Sequence, residues 1–215
     1  MRKYILFDLD GTLTDPAEGI TKSVAYALSA YGISVSDRSR LNCFIGPPLA
    51  ESFSVYYGFS EEKAKAAVEK YREYFSVTGL FENKVYEGVP EMLSTLRKSG
   101  HILAVATSKP TVFSDRILER FGLMSYFEYT LGSELDGRRV NKAEVIREVM
   151  AHLGAAPEDT LMVGDRKHDI LGAKGCSIPA IGVLYGYGDE AELTGTGAAA
   201  LAASPADIPG LICRL

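Results

Sequence analysis

Short apolar runs separated by segments of helical length most constrain how this chain can fold. The first, Tyr-Ile-Leu-Phe at 4–7, is apolar at every position, which suits a strand buried on both faces. From about Gly88 onward similar runs recur: HILAVATS at 101–108, FEYTLG at 127–132, DTLMVGD at 159–165 and IPAIGVLYG at 178–186. Between them lie helical patterns: VPEMLSTLRKSG closed by Gly100, TVFSDRILERFG, NKAEVIREVMAHLG and the shorter DILGAKGC. Strand–helix alternation predicts an α/β fold, a parallel sheet with helices on both faces. No internal repeat appears, and TGTGAAALAAS at 194–204 is the only compositionally biased stretch.

Residues 16–85 break the alternation, because they read as helix throughout. ITKSVAYALSAYGI places Ile20, Val24, Ala27, Leu28 and Tyr31 on one face and ends at Gly32. SEEKAKAAVEKYREYF opens with Ser60 as N-cap and two glutamates in the first turn, and carries a stripe of Ala64, Ala67, Val68, Tyr71 and Phe75. A Gly-Pro-Pro loop at 46–48 leads into a further short helix. The expected organisation is a core of 1–15 plus 86–215 with a helical insertion at 16–85. The net charge of −5 argues against a nucleic-acid polymer or an anionic membrane as partner. Three scattered cysteines suggest neither a disulfide framework nor a zinc site, and a reducing cytoplasm is the expected setting. No run approaches the roughly 18 apolar residues that a membrane span requires.

In open α/β sheets ligands collect outside the carboxyl ends of the strands. Here the first strand ends in Asp8-Leu9-Asp10-Gly11-Thr12, the second in Thr107-Ser108-Lys109-Pro110, and the fourth in Gly164-Asp165 with Asp169 four residues on. Two aspartates at a two-residue spacing lean to the same side of an extended chain and repel unless a cation or proton lies between them. Each residue also has a plain structural reading. Thr107 and Ser108 can cap a helix starting near Thr111, and Asp169 can cap one starting at Ile170. Lys142, however, opens a helix behind Asn141, where the helix dipole disfavours a cation, and a nearby anionic cluster accounts for it better.

The order DLDGT (8–12), ATSKP (106–110), Lys142 and GDRKHD (164–169) resembles the haloacid dehalogenase-like hydrolases, in their phosphatase branch. FIGPPL and GVLYGYG resemble the phosphoglycolate phosphatase-like and 5′-nucleotidase-like members. The resemblance implies a Rossmann-like core with a helical cap and a phosphatase acting on small phosphorylated metabolites through an aspartyl-phosphate. It makes Asp8 the nucleophile and Asp10 the general acid and base. It implies Mg2+ held by Asp8, the Asp10 carbonyl and Asp165, with Asp169 joining through a water or by orienting Lys142. Thr107 and the Ser108 amide would hold phosphate oxygens, Lys142 would neutralise Asp8, and the amides of the Leu9–Gly11 turn would add donors. Lys22 and the loop at Gly46 are the candidate cap contacts to the leaving group. A phosphosugar mutase shares all four motifs. A dehalogenase would not need the second aspartate or the Asp165–Asp169 pair. A phospho-acceptor regulatory domain would be about half this length. The expected assembly is a monomer or weak homodimer.

Overall fold

The structure is a computed structural model that describes residues 2–215. In chain order the elements are β1 (Tyr4–Phe7), β2 (Thr14–Asp15), α1 (Ala17–Ser29), α2 (Leu49–Tyr57), α3 (Glu61–Phe75), β3 (Lys84–Val85), α4 (Val89–Lys98), β4 (Ile102–Pro110) and α5 (Thr111–Arg120). They continue as β5 (Tyr129–Ser133), α6 (Lys142–Leu153), β6 (Thr160–Gly164), α7 (Lys167–Gly175), β7 (Ala180–Val183), α8 (Glu190–Thr196), β8 (Ala200–Ala202) and α9 (Ile208–Ile212).

Contacts divide the chain into two compact units, 1–14 with 85–215, and 15–84. The larger is built on a six-stranded sheet of order β5-β4-β1-β6-β7-β8. Every pairing in it is parallel. The apolar runs are short because each crosses the core once, and β1, β6 and β7 are buried at every position. On one face Leu6, Ala104, Ala106 and Met162 pack with Val145, Ile146 and Val149 of α6 and with Ile170 and Ala173 of α7. Their alternates Ile5, Phe7, Leu103, Val105, Leu161 and Val163 are equally buried, as a strand's period of two demands. Phe7 stands level with Val105 of β4 and Val163 of β6, so Asp8, Thr107 and Asp165 emerge at one edge of the sheet.

Besides β2, β3, α8 and α9, which the sequence reading does not foresee, two details depart from it. A sixth strand, β8, falls inside the alanine-rich stretch, which carries no strand signal because alanine is a weak strand former. Pairing with the open edge of β7, Ile181 to Ala200 and Val183 to Ala202, creates it. Also, α7 starts at Lys167 and not at Ile170, so Asp169 lies inside its first turn.

The smaller unit is helical. Around α1, α2 and α3 its core gathers Val24, Leu28, Phe44, Phe53, Ala67, Tyr71 and Phe75. Phe44 meets Phe53 edge-on at 5.0 Å, and Phe53 stacks on Phe59 at 5.8 Å. Ser60 caps α3 by accepting the Lys63 amide. Gly19 of α1 lies against the 79–82 turn so closely that a Cβ there would sit 1.9 Å from the Gly79 carbonyl oxygen. Gly19→Ala therefore has to push backbone aside, and we expect a loss of about 1–3 kcal/mol in urea unfolding. Gly195→Ala in α8, where a Cβ meets nothing within 4 Å, is the control and should be neutral or mildly stabilising. Equal effects of the two substitutions would contradict this packing.

Candidate active site

Every strand that ends at the β1 edge delivers a polar group to it. Asp8, directly after β1, is buried, and its amide donates to the Val163 carbonyl at 2.9 Å. Its Oδ1 lies 2.8 Å from Lys142 Nζ. The same ammonium lies 2.8 Å from Asp169 Oδ1 and donates to the Ala106 carbonyl at 3.1 Å. Asn141 caps α6 by accepting the Ala143 amide, which places Lys142 at the first helical position against the dipole. Burial pulls the Lys142 ammonium toward neutrality, but Asp169 and Asp8 outweigh it and hold it above the ordinary lysine value.

Asp165, at the end of β6, is fully buried. Its Oδ2 accepts the Tyr187 amide at 2.8 Å, while its Oδ1 has no hydrogen-bond partner. Asp169 Oδ2 accepts the Arg166 amide at 3.0 Å, which satisfies the start of α7. The carboxylates of Asp8, Asp165 and Asp169 bring oxygens within 4.8 Å of one another. Burial, then Asp169 and Asp8, raises the Asp165 carboxyl well above its ordinary value. Asp169 is pushed up to about 6, chiefly by burial, although Lys142 opposes the shift. Three carboxylates against one ammonium leave a deficit of two positive charges, and an unpartnered oxygen points to where they are missing. Hard oxygen donors of this kind fit a hard divalent cation.

Asp10 is placed differently. Its side chain turns to Lys109, with Oδ2 and Nζ 2.7 Å apart, and its carboxylate is not part of the three-residue cluster. Burial raises its pKa despite Lys109. The turn that follows Asp10 is tight: Gly11 has φ +81°, and a Cβ on it would lie 2.0 Å from Asp165 Oδ2. The Gly11 amide donates to the Thr14 carbonyl at 2.7 Å, so it is committed within the turn and is not a donor for ligand. Leu9 and Asp10 supply the turn's remaining amides. Thr107 is buried, and its Oγ1 accepts the Lys109 amide at 3.2 Å rather than capping α5, which follows Pro110 without a side-chain cap. Ser108 lies at the same strand end, where its carbonyl accepts Ser133 Oγ at 2.8 Å.

Lys22 and Gly46 belong to the helical unit. Lys22 Nζ pairs with Glu18 at 2.7 Å and Glu82 at 2.5 Å, and Gly46 has φ +101° in the loop before α2. The sequence reading assigns no role to Lys109 or to the segment Tyr185–Tyr187. Lys109 stands at the same strand end as Thr107, and a lysine beside an expected acidic cluster was its available signal. The Tyr187 amide carried none, since a main-chain donor has no residue type. Gly186 lets that segment approach: a Cβ would lie 2.4 Å from both Asp165 Cβ and the Gly11 carbonyl oxygen. Tyr185 anchors it further, donating its hydroxyl to the Thr12 carbonyl at 3.0 Å.

Residues 5–183 match the family described as haloacid dehalogenase-like hydrolase. The chain belongs to that family. A 5′-nucleotidase of Pseudomonas aeruginosa is 54% identical over 88% of this chain and 86% of its own length. Tyrosine-protein kinase PtkA of Mycobacterium tuberculosis is 39% identical over 86% of this chain and 63% of its own length. A phosphoglycolate phosphatase of Vibrio vulnificus is 31% identical over 86% of this chain and 85% of its own length. The crystal structure of a predicted phosphatase from Clostridium acetobutylicum superimposes with a TM-score of 0.97 at 50% identity, covering 100% of both chains. This haloacid dehalogenase-like chain is thus an enzyme of the phosphatase kind. No helix among its described residues is long and apolar enough to cross a membrane.

The raised carboxyls make a linked prediction. Asp169 titrates near 6 when folded against 3.8 as its ordinary value, and Asp165 is also raised. Between those values the folded, cation-free protein binds protons that the unfolded chain does not, so its stability falls as pH rises. A divalent cation needs the ionised cluster and removes that penalty. The Tm gain from millimolar Mg2+ should therefore grow between about pH 5 and about pH 7, and shrink in Asp165→Asn. A gain that is flat with pH in thermal scans would contradict this.

Proposed function

We propose that the chain is a Mg2+-dependent phosphomonoesterase for small phosphorylated metabolites that works through an aspartyl-phosphate on Asp8. The observation that carries the proposal is the position of Asp8, whose carboxylate lies 2.8 Å from Lys142 and within one cluster with the Asp165 and Asp169 carboxylates. Lys142 sets its ammonium 2.8 Å from the Asp8 carboxylate, beside the group that has to act as nucleophile.

The Asp8 carboxylate attacks phosphorus, the bond from phosphorus to the ester oxygen breaks, and the protonated carboxyl of Asp10 gives its proton to the leaving alkoxide. Asp10, now ionised, takes a proton from the water that attacks the acyl phosphate, so that inorganic phosphate departs and Asp8 is restored. Thr107 Oγ1 and the amides of Ser108, Leu9 and Asp10 hold phosphate oxygens during both steps. Asp8, Asp165 and the Asp10 carbonyl would hold Mg2+, which would neutralise charge on the phosphate when bound. Asp169 acts by orienting Lys142. Residues 16–85 serve as the cap that reads the leaving group, with the Lys22–Glu18–Glu82 cluster and the Gly46-Pro47-Pro48 loop as its contacts. The 5′-nucleotidase and phosphoglycolate phosphatase relatives favour a nucleoside monophosphate or a small phosphorylated acid as substrate.

Phosphate release from a panel of nucleoside monophosphates, phosphoglycolate, sugar phosphates and an aryl phosphate, with and without Mg2+, tests the class and ranks the substrates. Asp8→Asn keeps size and hydrogen bonding but removes the attacking charge. It should reduce turnover by several orders of magnitude, each tenfold loss being about 1.4 kcal/mol of barrier, with the fold intact by circular dichroism. Retention of appreciable turnover in purified protein would refute the assignment. For the cap, Lys22→Ala and Gly46→Val should change the ranking of substrates by kcat/KM and affect the aryl phosphate least. A uniform loss across the panel would mean that these residues do not select.

A further inference from the structure

The site divides its two lysines between its aspartates. Lys142 serves Asp8 and Asp169, and Lys109 serves Asp10. The second pair is nearly as enclosed as the first, with side-chain exposures of 6% for Lys109 and 12% for Asp10. The chain takes specific measures to put Lys109 there. The β4–β5 register slips between Ala106 and Pro110, which re-aims the intervening side chains. Thr107 Oγ1 then accepts the Lys109 amide, and Ser133 Oγ ties the preceding carbonyl, that of Ser108. On the far side the Lys109 carbonyl presses onto β5 where only glycine fits, since a Cβ at Gly132 would lie 2.0 Å from that oxygen. A lysine whose main chain is pinned on both sides is not a loosely solvated surface charge.

We infer that Lys109 is a positioning residue for Asp10, holding its carboxylate off the Asp8–Asp165–Asp169 cluster so that it stays available for proton transfer. The inference rests on the proton-transfer role proposed above for Asp10. Asp10 follows Asp8 by two residues and lies beside a cluster short of two positive charges, so an unrestrained Asp10 would become a fourth carboxylate toward any cation bound there. Such an oxygen would be occupied by the ion and unable to exchange a proton with the ester oxygen. The ammonium of Lys109, 2.7 Å from Asp10 Oδ2, supplies the competing partner.

The test is a double-mutant cycle of Lys109→Met and Asp10→Asn, followed by single-turnover kinetics on an alkyl and an aryl phosphate and by calorimetric titration with Mg2+. Lys109→Met should lower the alkyl rate about tenfold or more and the aryl rate less, because a good leaving group needs little protonation. In the Asp10→Asn background the same substitution should cost almost nothing further. Lys109→Arg should retain more of the alkyl rate than Lys109→Met. Mg2+ should bind more tightly to Lys109→Met than to wild type, and this gain should vanish in the double variant. Should Lys109→Met fail to fold, Lys109→Gln, which keeps a donor near Asp10, should show the same pattern in weaker form. A Lys109 loss that persists undiminished in the Asp10→Asn background would mean that Lys109 acts on the phosphate itself, and would overturn the inference. Unchanged Mg2+ affinity in Lys109→Met would overturn it too. If Asp10→Asn alone left both rates intact, the role of Asp10 would fall instead.

Discussion

Three carboxylates buried within 4.8 Å of one another are the feature that the rest of the larger unit accommodates. Like charges at that distance in a poorly solvated place repel strongly, and nothing in the apolar sheet beneath them can screen the repulsion. What surrounds them is accordingly a set of donors. Lys142 stands between Asp8 and Asp169, the Arg166 amide binds Asp169, and the Tyr187 amide binds Asp165. Main chain can come this close only where side chains are absent, which is why Gly11 and Gly186 flank Asp165. The donors leave one Asp165 oxygen unanswered, and that remainder suits a divalent ion.

The sheet makes the cluster possible. Because β1 lies between β4 and β6 with Phe7 level with Val105 and Val163, residues far apart in sequence reach one edge together. The strand's end fixes that register, since a slip by one residue would carry Asp8 to the level of Phe7, in the apolar layer between Val105 and Val163. The cost of placing Lys142 at a helix N-terminus is offset by the two carboxylates it meets, so a locally unfavourable choice becomes favourable once α6 is packed against the sheet.

Membership in the haloacid dehalogenase-like hydrolases and kinship with phosphatases follow from the greater part of the chain. Selection among phosphate esters is a separate matter, because the residues around Asp8 concern the phosphoryl group that all such esters share. In our proposal it falls to the helical unit. There Lys22 pairs with both Glu18 and Glu82, so that cluster carries one net negative charge and no bare cation.

Taken by itself, the amino-acid sequence determined the fold class, five of the six strands of the large sheet, the helices α1 and α3, and the aspartates and Lys142 that meet at the strand ends. These were readable because burial period, caps and short-range motifs are local properties: Ser60 and Asn141 cap the helices they precede. Tertiary structure alone decided the rest. It made β8 a strand by offering an open edge to an alanine-rich segment without strand propensity of its own. It moved the start of α7 so that Asp169 sits within the helix, and it committed the Gly11 amide to the turn. It also paired Asp10 with Lys109 and set the Tyr187 amide on Asp165. Each of these depends on which backbone passes nearby in space, and main-chain donors and ion-pair partners separated by roughly twenty to a hundred residues leave no periodic trace in a sequence.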